Sequence, residues 1–316
     1  MTPTQVPQKT RLAPSPTGAL HLGNARTFVI NWILARRRGW GIVMRIEDLD
    51  GPRVKQGAID QTLDTLAWLG LDWDEGPTIQ SQDLGPHAEA MRALAARALA
   101  YPCELTRTEI AAAASAPHAG DGAPAAVARP RPLISAEFAD RETNWRFATP
   151  EGPIEVDDAF LGSSITNPAA EAGDFVVWTK RGMPAYQLAV VVDDARQGVT
   201  QVVRGDDLLD SAGRQMLLYD ALELAPRPRC THLPLVLGPD GRRLAKRHGD
   251  SRLATYRSQG VPVERIMGLL ACWSLPSQPR LPMDLAEFAE RFDLDTMPRG
   301  PARFKPEDDA WLLGRS

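Results

Sequence analysis

The sequence predicts an α/β protein built on a Rossmann-type nucleotide-binding sheet, and three observations carry that expectation. Strand-like segments at Thr10–Ala13 and Ile42–Ile46 flank a helix-like segment at Ala25–Arg38, a β-α-β unit of the size a right-handed crossover needs. Between the first strand and the helix, Arg11-Leu-Ala-Pro-Ser-Pro-Thr-Gly-Ala-Leu-His-Leu-Gly-Asn carries turn formers up to Gly18. His21, Gly23 and Asn24 then open the helix, where backbone N–H groups and the helix dipole favour a phosphate. A later basic loop, Arg243-Leu-Ala-Lys-Arg-His248, supplies cations for the same charge.

Each further element follows from spacing. Phe28, Ile30, Ile33 and Leu34 recur at helical intervals in 25–38, as do Ala58, Ile59, Leu63, Leu66 and Leu69 in 57–69, and residues 87–100 repeat the pattern. Residues 104–172 open with an Ala/Pro-rich stretch, Ala111 to Pro132. Short alternating segments around Asn144–Ala148 and Ile154–Asp157 follow it, so an inserted α+β domain is expected there. The apolar run Leu188–Val192 reads as a buried parallel strand, a return to the main sheet. Past Ser251 the pattern is helical again, through Leu253, Tyr256, Val263, Ile266, Leu269 and Leu270, and the tail adds Leu285–Phe292. The expected division is 1–103 for the first half of the catalytic domain and 104–172 for the insertion. Residues 173–238 form the second half, and 239–316 the basic loop with a short helical C-terminal region.

A chain of 316 residues has ample length for a buried core. Its formal net charge of −4 argues against a globally cationic nucleic-acid binder. Residues 225–252 nevertheless gather seven Lys or Arg against Asp240 and Asp250, a local patch that suits phosphate beside a nucleotide element and would otherwise read as a solvated loop. The three cysteines, Cys103, Cys230 and Cys272, are odd in number and far apart, which fits inert thiols in a reducing cytoplasm. The first ten residues are polar, and no apolar run approaches the ~20 residues of a membrane span. A cytoplasmic monomer without a signal peptide or membrane contact is expected.

The blocks Arg11-Leu-Ala-Pro-Ser-Pro-Thr-Gly, Arg45-Ile-Glu-Asp-Leu-Asp, Gly70-Leu-Asp-Trp-Asp-Glu-Gly-Pro and Tyr186-Gln-Leu-Ala-Val-Val-Val-Asp-Asp stand in order along the chain. With Gly198-Val-Thr-Gln-Val-Val-Arg-Gly-Asp-Asp-Leu and the basic loop, the chain resembles the class I glutamyl-tRNA synthetases over nearly all of residues 11–275. The Ala-Pro-Ser-Pro-Thr-Gly run resembles the glutamate enzymes rather than the glutamine ones. A full-length enzyme continues into a helical anticodon-binding region, for which the roughly 30 residues after 283 are too few. The resemblance therefore narrows to the short paralogues, the glutamyl-Q tRNA(Asp) synthetases, and Val190, where full-length enzymes commonly carry Asn, leans the same way. It implies a class I aminoacyl-tRNA synthetase catalytic domain with ATP, carrying Mg²⁺, and L-glutamate as substrates. The acceptor would be queuosine in the anticodon of tRNA(Asp), with activation independent of tRNA.

The same resemblance assigns Arg11, Leu12, Ala13, Pro14, Ser15, Glu47, Tyr186 and Arg204 to glutamate, and His21, Gly23, Asn24 and Lys246 to ATP. The residue types suit these roles. An arginine fork binds a carboxylate bidentately. Arg11 and Arg204 fall at the C-terminal ends of expected strands, where open parallel sheets bind ligands, and Glu47 can take the ammonium. The bland alternatives are a structural Arg11–Glu47 ion pair and a half-buried core tyrosine at 186. Attack of a carboxylate on the α-phosphate demands positioning and charge stabilisation more than covalent work, which makes His21 and Lys246 the catalytic candidates. The family's Lys-x-Ser-Lys is Arg243-Leu-Ala-Lys here, so Ala245 removes a hydroxyl and slower activation is expected.

Short paralogues often hold a structural zinc with a Cys-x-Cys pair, a Tyr and a third Cys. Here Cys103 stands alone: Leu105 replaces the second cysteine, neither Tyr nor Cys follows before Trp145, and His118 replaces one ligand at most. No zinc is expected, and Cys103 reads as a small apolar filler. Two other functions remain open on sequence: a truncated synthetase charging a tRNA 3′ end, and a catalytically silent RNA-binding paralogue.

Overall fold

A computed structural model describes residues 7–51, 54–104, 136–139, 143–242, 244 and 251–315. Strand β1 (Lys9–Leu12), helix α1 (Leu22–Arg38) and strand β2 (Gly41–Ile46) form the expected parallel unit, with Arg11 opposite Val43. Helix α2 (Ala58–Trp68) then leads to β3 (Glu75–Ile79), parallel to β2. Five consecutive β2 residues, Ile42–Ile46, are buried, as expected for a strand covered on both faces. The middle of the chain supplies α3 (Gly85–Ala96), β4 (Ala100–Cys103), β5 (Asn144–Phe147), β6 (Ile154–Val156), β7 (Ser164–Thr166), α4 (Pro168–Glu171), β8 (Phe175–Thr179) and β9 (Met183–Pro184). Here β4-β5-β8-β9 form an antiparallel sheet and β6-β7 a hairpin.

The main sheet resumes with α5 (Tyr186–Arg196), β10 (Gln201–Gly205), α6 (Leu209–Ala221) and β11 (Arg229–Leu233), the last parallel to β10. β10 lies beside β1: Thr200 N–H donates to Lys9 O at 2.8 Å, and Arg11 Nη1 reaches Val203 O at 3.3 Å. Lys9 facing Thr200 and Arg11 facing Val203 means that the two strands run the same way. The β-α-β unit departs from β1 in one direction and β10–β11 in the other. The C-terminal ends of β1 and β10 therefore flank the point where strand order reverses, the crevice where open α/β sheets bind ligands. The remainder comprises β12 (Val236–Leu237), α7 (Leu253–Ser258), α8 (Val263–Cys272), α9 (Leu285–Arg291), β13 (Ala302–Arg303) and α10 (Pro306–Leu312), with β13 parallel to β12.

Two buried apolar clusters support this frame. One packs α1, β1, β2 and α2 against the C-terminal helices, and the other joins α3, the antiparallel sheet, α5 and α6. β10 borders both, with Val203 in the first and Val202 in the second, as strand alternation dictates.

Two expected elements are corrected. Leu188–Val192 is not a strand but the middle of α5. That helix is buried on nearly every side, including Gln187, Asp193 and Asp194, so its sequence lacks a polar stripe and looks like a covered strand. The helix expected at 87–100 stops at Ala96: Ala98 takes a left-handed φ of 55°, Leu99 N–H closes on Leu94 O, and Ala100 already pairs in β4.

Arg26 is a buried cation that the apolar pattern of α1 concealed. Its Nη1 donates to Pro234 O at 2.6 Å, its Nη2 to Trp273 O at 3.0 Å and its Nε to Ser274 Oγ at 3.0 Å, tying α1 to the end of β11 and to α8. Burial lowers its pKa to about 10, with the charge of Asp206 opposing. Arg26→Ala strands two buried carbonyls and is expected to cost about 3–4 kcal/mol of unfolding free energy. Urea titration followed by circular dichroism checks this, and a loss below ~1 kcal/mol would show that the three contacts are replaceable by water.

Candidate functional site

The strand ends deliver two buried arginines to one crevice. Arg204 donates from Nε to His232 Nε2 at 2.9 Å and from Nη1 to Gln215 Oε1 at 2.8 Å. Its Nη2 is buried and has no partner among the described residues. Arg11 donates to Val203 O and holds its Nε 3.4 Å from Asp194 Oδ1. Asp194, on the last turn of α5, also meets Arg45 Nη1 at 2.7 Å, and Arg45 Nη2 in turn meets Glu47 Oε1 at 3.0 Å. The run Arg11–Asp194–Arg45–Glu47 thus alternates in sign, with Arg45 wholly enclosed. Burial pushes the Glu47 carboxyl up, against the opposing pull of Arg45 and Arg11. The bland alternative of an Arg11–Glu47 ion pair is not what forms among the described residues: Glu47 pairs with Arg45, which alternates along β2 to the same side, while the Glu47 N–H is fixed on Pro14 O at 3.0 Å.

At the other end of the crevice stands His21, the N-cap of α1. Its Nδ1 accepts from Gly23 N–H at 3.1 Å and Asn24 N–H at 3.4 Å, while the Asn24 side chain accepts from His21 N–H at 3.4 Å, completing a capping box. An imidazole accepting at Nδ1 carries its proton on Nε2. The first N–H groups of α1, expected to be open to phosphate, are all engaged, since Leu22 N–H donates to Ser251 O and Ala25 N–H to His21 O. With those amides engaged, the positive end of the α1 dipole is what this end of the cleft keeps for an anion. Gly23 has a local reason besides ligand approach: a Cβ there would stand 3.0 Å from His21 Cε1 and press on the capping ring.

Arg11, Ala13, His21, Gly23, Asn24, Glu47, Tyr186 and Arg204 line one cleft of about 810 Å³, counting its open mouth. Leu12, Pro14 and Ser15, also expected to contact glutamate, adjoin the lining residue Ala13 but are not themselves among the residues that line the cleft. Leu12 is fully buried in the apolar core, Pro14 uses its carbonyl on Glu47, and the Ser15 hydroxyl sits 3.3 Å from Thr17 Oγ1. Lys246, with Arg243, Ala245, Arg247 and His248, lies outside the described residues.

Sequence reasoning passed over the groups that hold the arginines. Asp194 ends the Tyr186–Asp194 run, and an acid closing so apolar a stretch was the available signal. Gln187 and Gln215 form a relay, with Gln215 Nε2 donating to Gln187 Oε1 at 2.9 Å and Gln187 Nε2 to Ser211 Oγ at 3.0 Å. His232 and Asp158 carried no signal, being 74 residues apart in a pairing that only the fold creates. Thr27, Phe28, Asp207, Leu235 and Val236 also contribute to the walls. Among the described residues no group of three or more His, Cys, Asp or Glu is placed to hold a metal. Cys103 is half-buried at the end of β4.

With this geometry in place, comparison with known proteins is informative. The family described as tRNA synthetases class I (E and Q), catalytic domain, matches residues 8–308. A glutamyl-Q tRNA(Asp) synthetase of Symbiobacterium thermophilum is 45% identical over 96% of this chain and 98% of its own length. A glutamate–tRNA ligase of Synechococcus sp. is 38% identical over 97% of this chain and 67% of its own. Among solved structures, a glutamate tRNA ligase from Elizabethkingia meningosepticum, in complex with its amino acid, superimposes with a TM-score of 0.76 at 25% identity. That match covers 96% of this chain and 68% of the other.

Proposed function

The chain belongs to the class I tRNA synthetases of the glutamate and glutamine type, a family of ligases, and from that premise we propose that it activates L-glutamate with ATP and transfers it to queuosine of tRNA(Asp). The observation that carries glutamate is the cleft itself, where two buried arginines stand with the Glu47 carboxylate and one Arg204 nitrogen has no partner among the described residues. A guanidinium buried with an open N–H calls for an anion, and an α-amino dicarboxylic acid supplies two anions and one cation. The carboxylate that reacts must stay open to the phosphate beside His21, so the enclosed Arg204 fork suits the other one. Glu47 receives the ammonium.

Activation then follows from position. One glutamate carboxylate oxygen attacks the α-phosphorus of ATP, the bond to the bridging oxygen breaks, and pyrophosphate leaves with its Mg²⁺. His21, its ring held by the capping box, is the residue assigned to the charge that develops, with Lys246 of the basic loop as the second cation. The queuosine acceptor is supported by higher identity to the glutamyl-Q relative, 45% against 38% for the glutamate–tRNA ligase. A tRNA substrate implies a cytoplasmic protein, and no helix among the described residues is long and apolar enough to cross a membrane.

Pyrophosphate exchange with glutamate and ATP, without tRNA, is the direct test of activation. Exchange is expected with the wild-type protein, and Lys246→Ala is expected to slow it at least tenfold with little change in glutamate dependence, because a phosphate contact strengthened in the transition state appears in rate. No exchange by the wild-type protein would favour the silent paralogue, and a normal rate in Lys246→Ala would move the cation role to Arg243 or Arg247.

A further inference from the structure

His232 stands directly opposite Arg204 in the parallel β10–β11 ladder. Its Nδ1 is 2.6 Å from Asp158 Oδ2, and its backbone N–H donates to the same oxygen at 3.1 Å. The other Asp158 oxygen accepts from Phe160 and Leu161 N–H at 2.9 and 2.8 Å, so the carboxylate is pinned in place. A carboxylate at Nδ1 requires the ring proton there, which leaves Nε2 as a bare acceptor, and Arg204 Nε donates into it at 2.9 Å. Asp158 and His232 are both almost fully buried, and neither is among the residues lining the cleft.

We propose that Asp158 and His232 form a positioning pair for Arg204. The carboxylate fixes the imidazole tautomer, the imidazole takes the Arg204 Nε–H, and the guanidinium is left with its outer nitrogen turned to the substrate carboxylate. The pair does not touch substrate and acts through Arg204. A neutral imidazole suits this place better than a second carboxylate. It orients the guanidinium without neutralising it, so the whole charge remains for the ligand. The proposal deepens the glutamate reading and rests on it.

Asp158→Asn is the informative change. The amide keeps an oxygen for Phe160 and Leu161 but presents N–H groups to Nδ1, which drives the ring proton to Nε2, where it meets Arg204 Nε–H. Glutamate KM in the exchange assay is expected to rise about tenfold with a smaller change in kcat, the loss of one charge-assisted hydrogen bond. His232→Ala is expected to do the same. His232→Gln, whose amide oxygen accepts from Arg204, is expected to stay near the wild-type KM, a rescue that a merely space-filling role would not produce. Ring-¹⁵N histidine spectra of the full chain, assigned through loss of a signal in His232→Gln, report the tautomer without any assay. The Nδ1–H form is expected in the wild type and the Nε2–H form in Asp158→Asn. A wild-type Nε2–H tautomer overturns the proposal, as does equal damage from Gln and Ala at 232. An unchanged KM in Asp158→Asn beside a raised one in Arg204→Ala overturns it alone, whereas an unchanged KM in Arg204→Ala overturns the glutamate reading and this role with it.

Discussion

Arg204→Ala is expected to raise the glutamate concentration for half-maximal pyrophosphate exchange about 30- to 150-fold, the equivalent of ~2–3 kcal/mol for a desolvated charge-assisted contact. The ATP dependence should hardly move, because Arg204 stands at the end of β10 while His21, proposed to meet the phosphate, opens α1. Arg204→Lys is expected to recover little. An ammonium cannot serve His232, Gln215 and a substrate carboxylate along the directions that a planar fork provides. A thermal melt of each variant separates lost binding from lost fold, since alanine also leaves His232 Nε2 and Gln215 Oε1 without their donor. An Arg204→Ala protein with wild-type glutamate dependence would make Arg204 a structural cation.

The largest effect on stability is expected at Asp194. This carboxylate lies between two buried guanidinium groups, 2.7 Å from Arg45 and 3.4 Å from Arg11. Among the described residues, Asp194→Ala leaves Arg11 without an anion within salt-bridge distance and leaves Arg45 with Glu47 alone. Removing one member of a buried ion network typically costs about 3–5 kcal/mol, because the remaining charge stays desolvated. A urea titration should show that loss as a lower midpoint at nearly unchanged slope. Glutamate binding should weaken as well, since Arg11 loses its anchor. A loss under ~1 kcal/mol would mean that water reaches Arg11 and Arg45 and stands in for the missing carboxylate.

What could be read from the chain and what could not divides along physical lines. The β1-α1-β2 unit was legible because its period changes within thirty-odd residues and its helix ends on Gly39, in the left-handed conformation that closes helices. Arg11, Glu47 and Arg204 were singled out because they match the blocks of the resembled family and stand at or just past the C-terminal ends of expected strands, and the structure brings all three to one cleft. Helix α5 was misread since a helix buried on all sides and a covered strand share one apolar signature, and only length distinguishes them. Asp194, Asp158 and His232 escaped notice for another reason. Their meaning lies in partners 149, 74 and 28 residues away, at Arg45, His232 and Arg204, and no local pattern encodes such a pairing.

Transfer to queuosine is the central claim, and labelled glutamate on an anticodon hairpin tests it most directly. A short RNA hairpin of tRNA(Asp) bearing queuosine, incubated with the protein, ATP and labelled glutamate, is expected to become labelled, and the same hairpin with guanosine in place of queuosine is expected to stay blank. Full-length tRNA(Asp) lacking its 3′-terminal adenosine should still accept the label. Label that appears only on full-length tRNA, and that disappears with the terminal adenosine, would contradict the account and establish charging of a 3′ end.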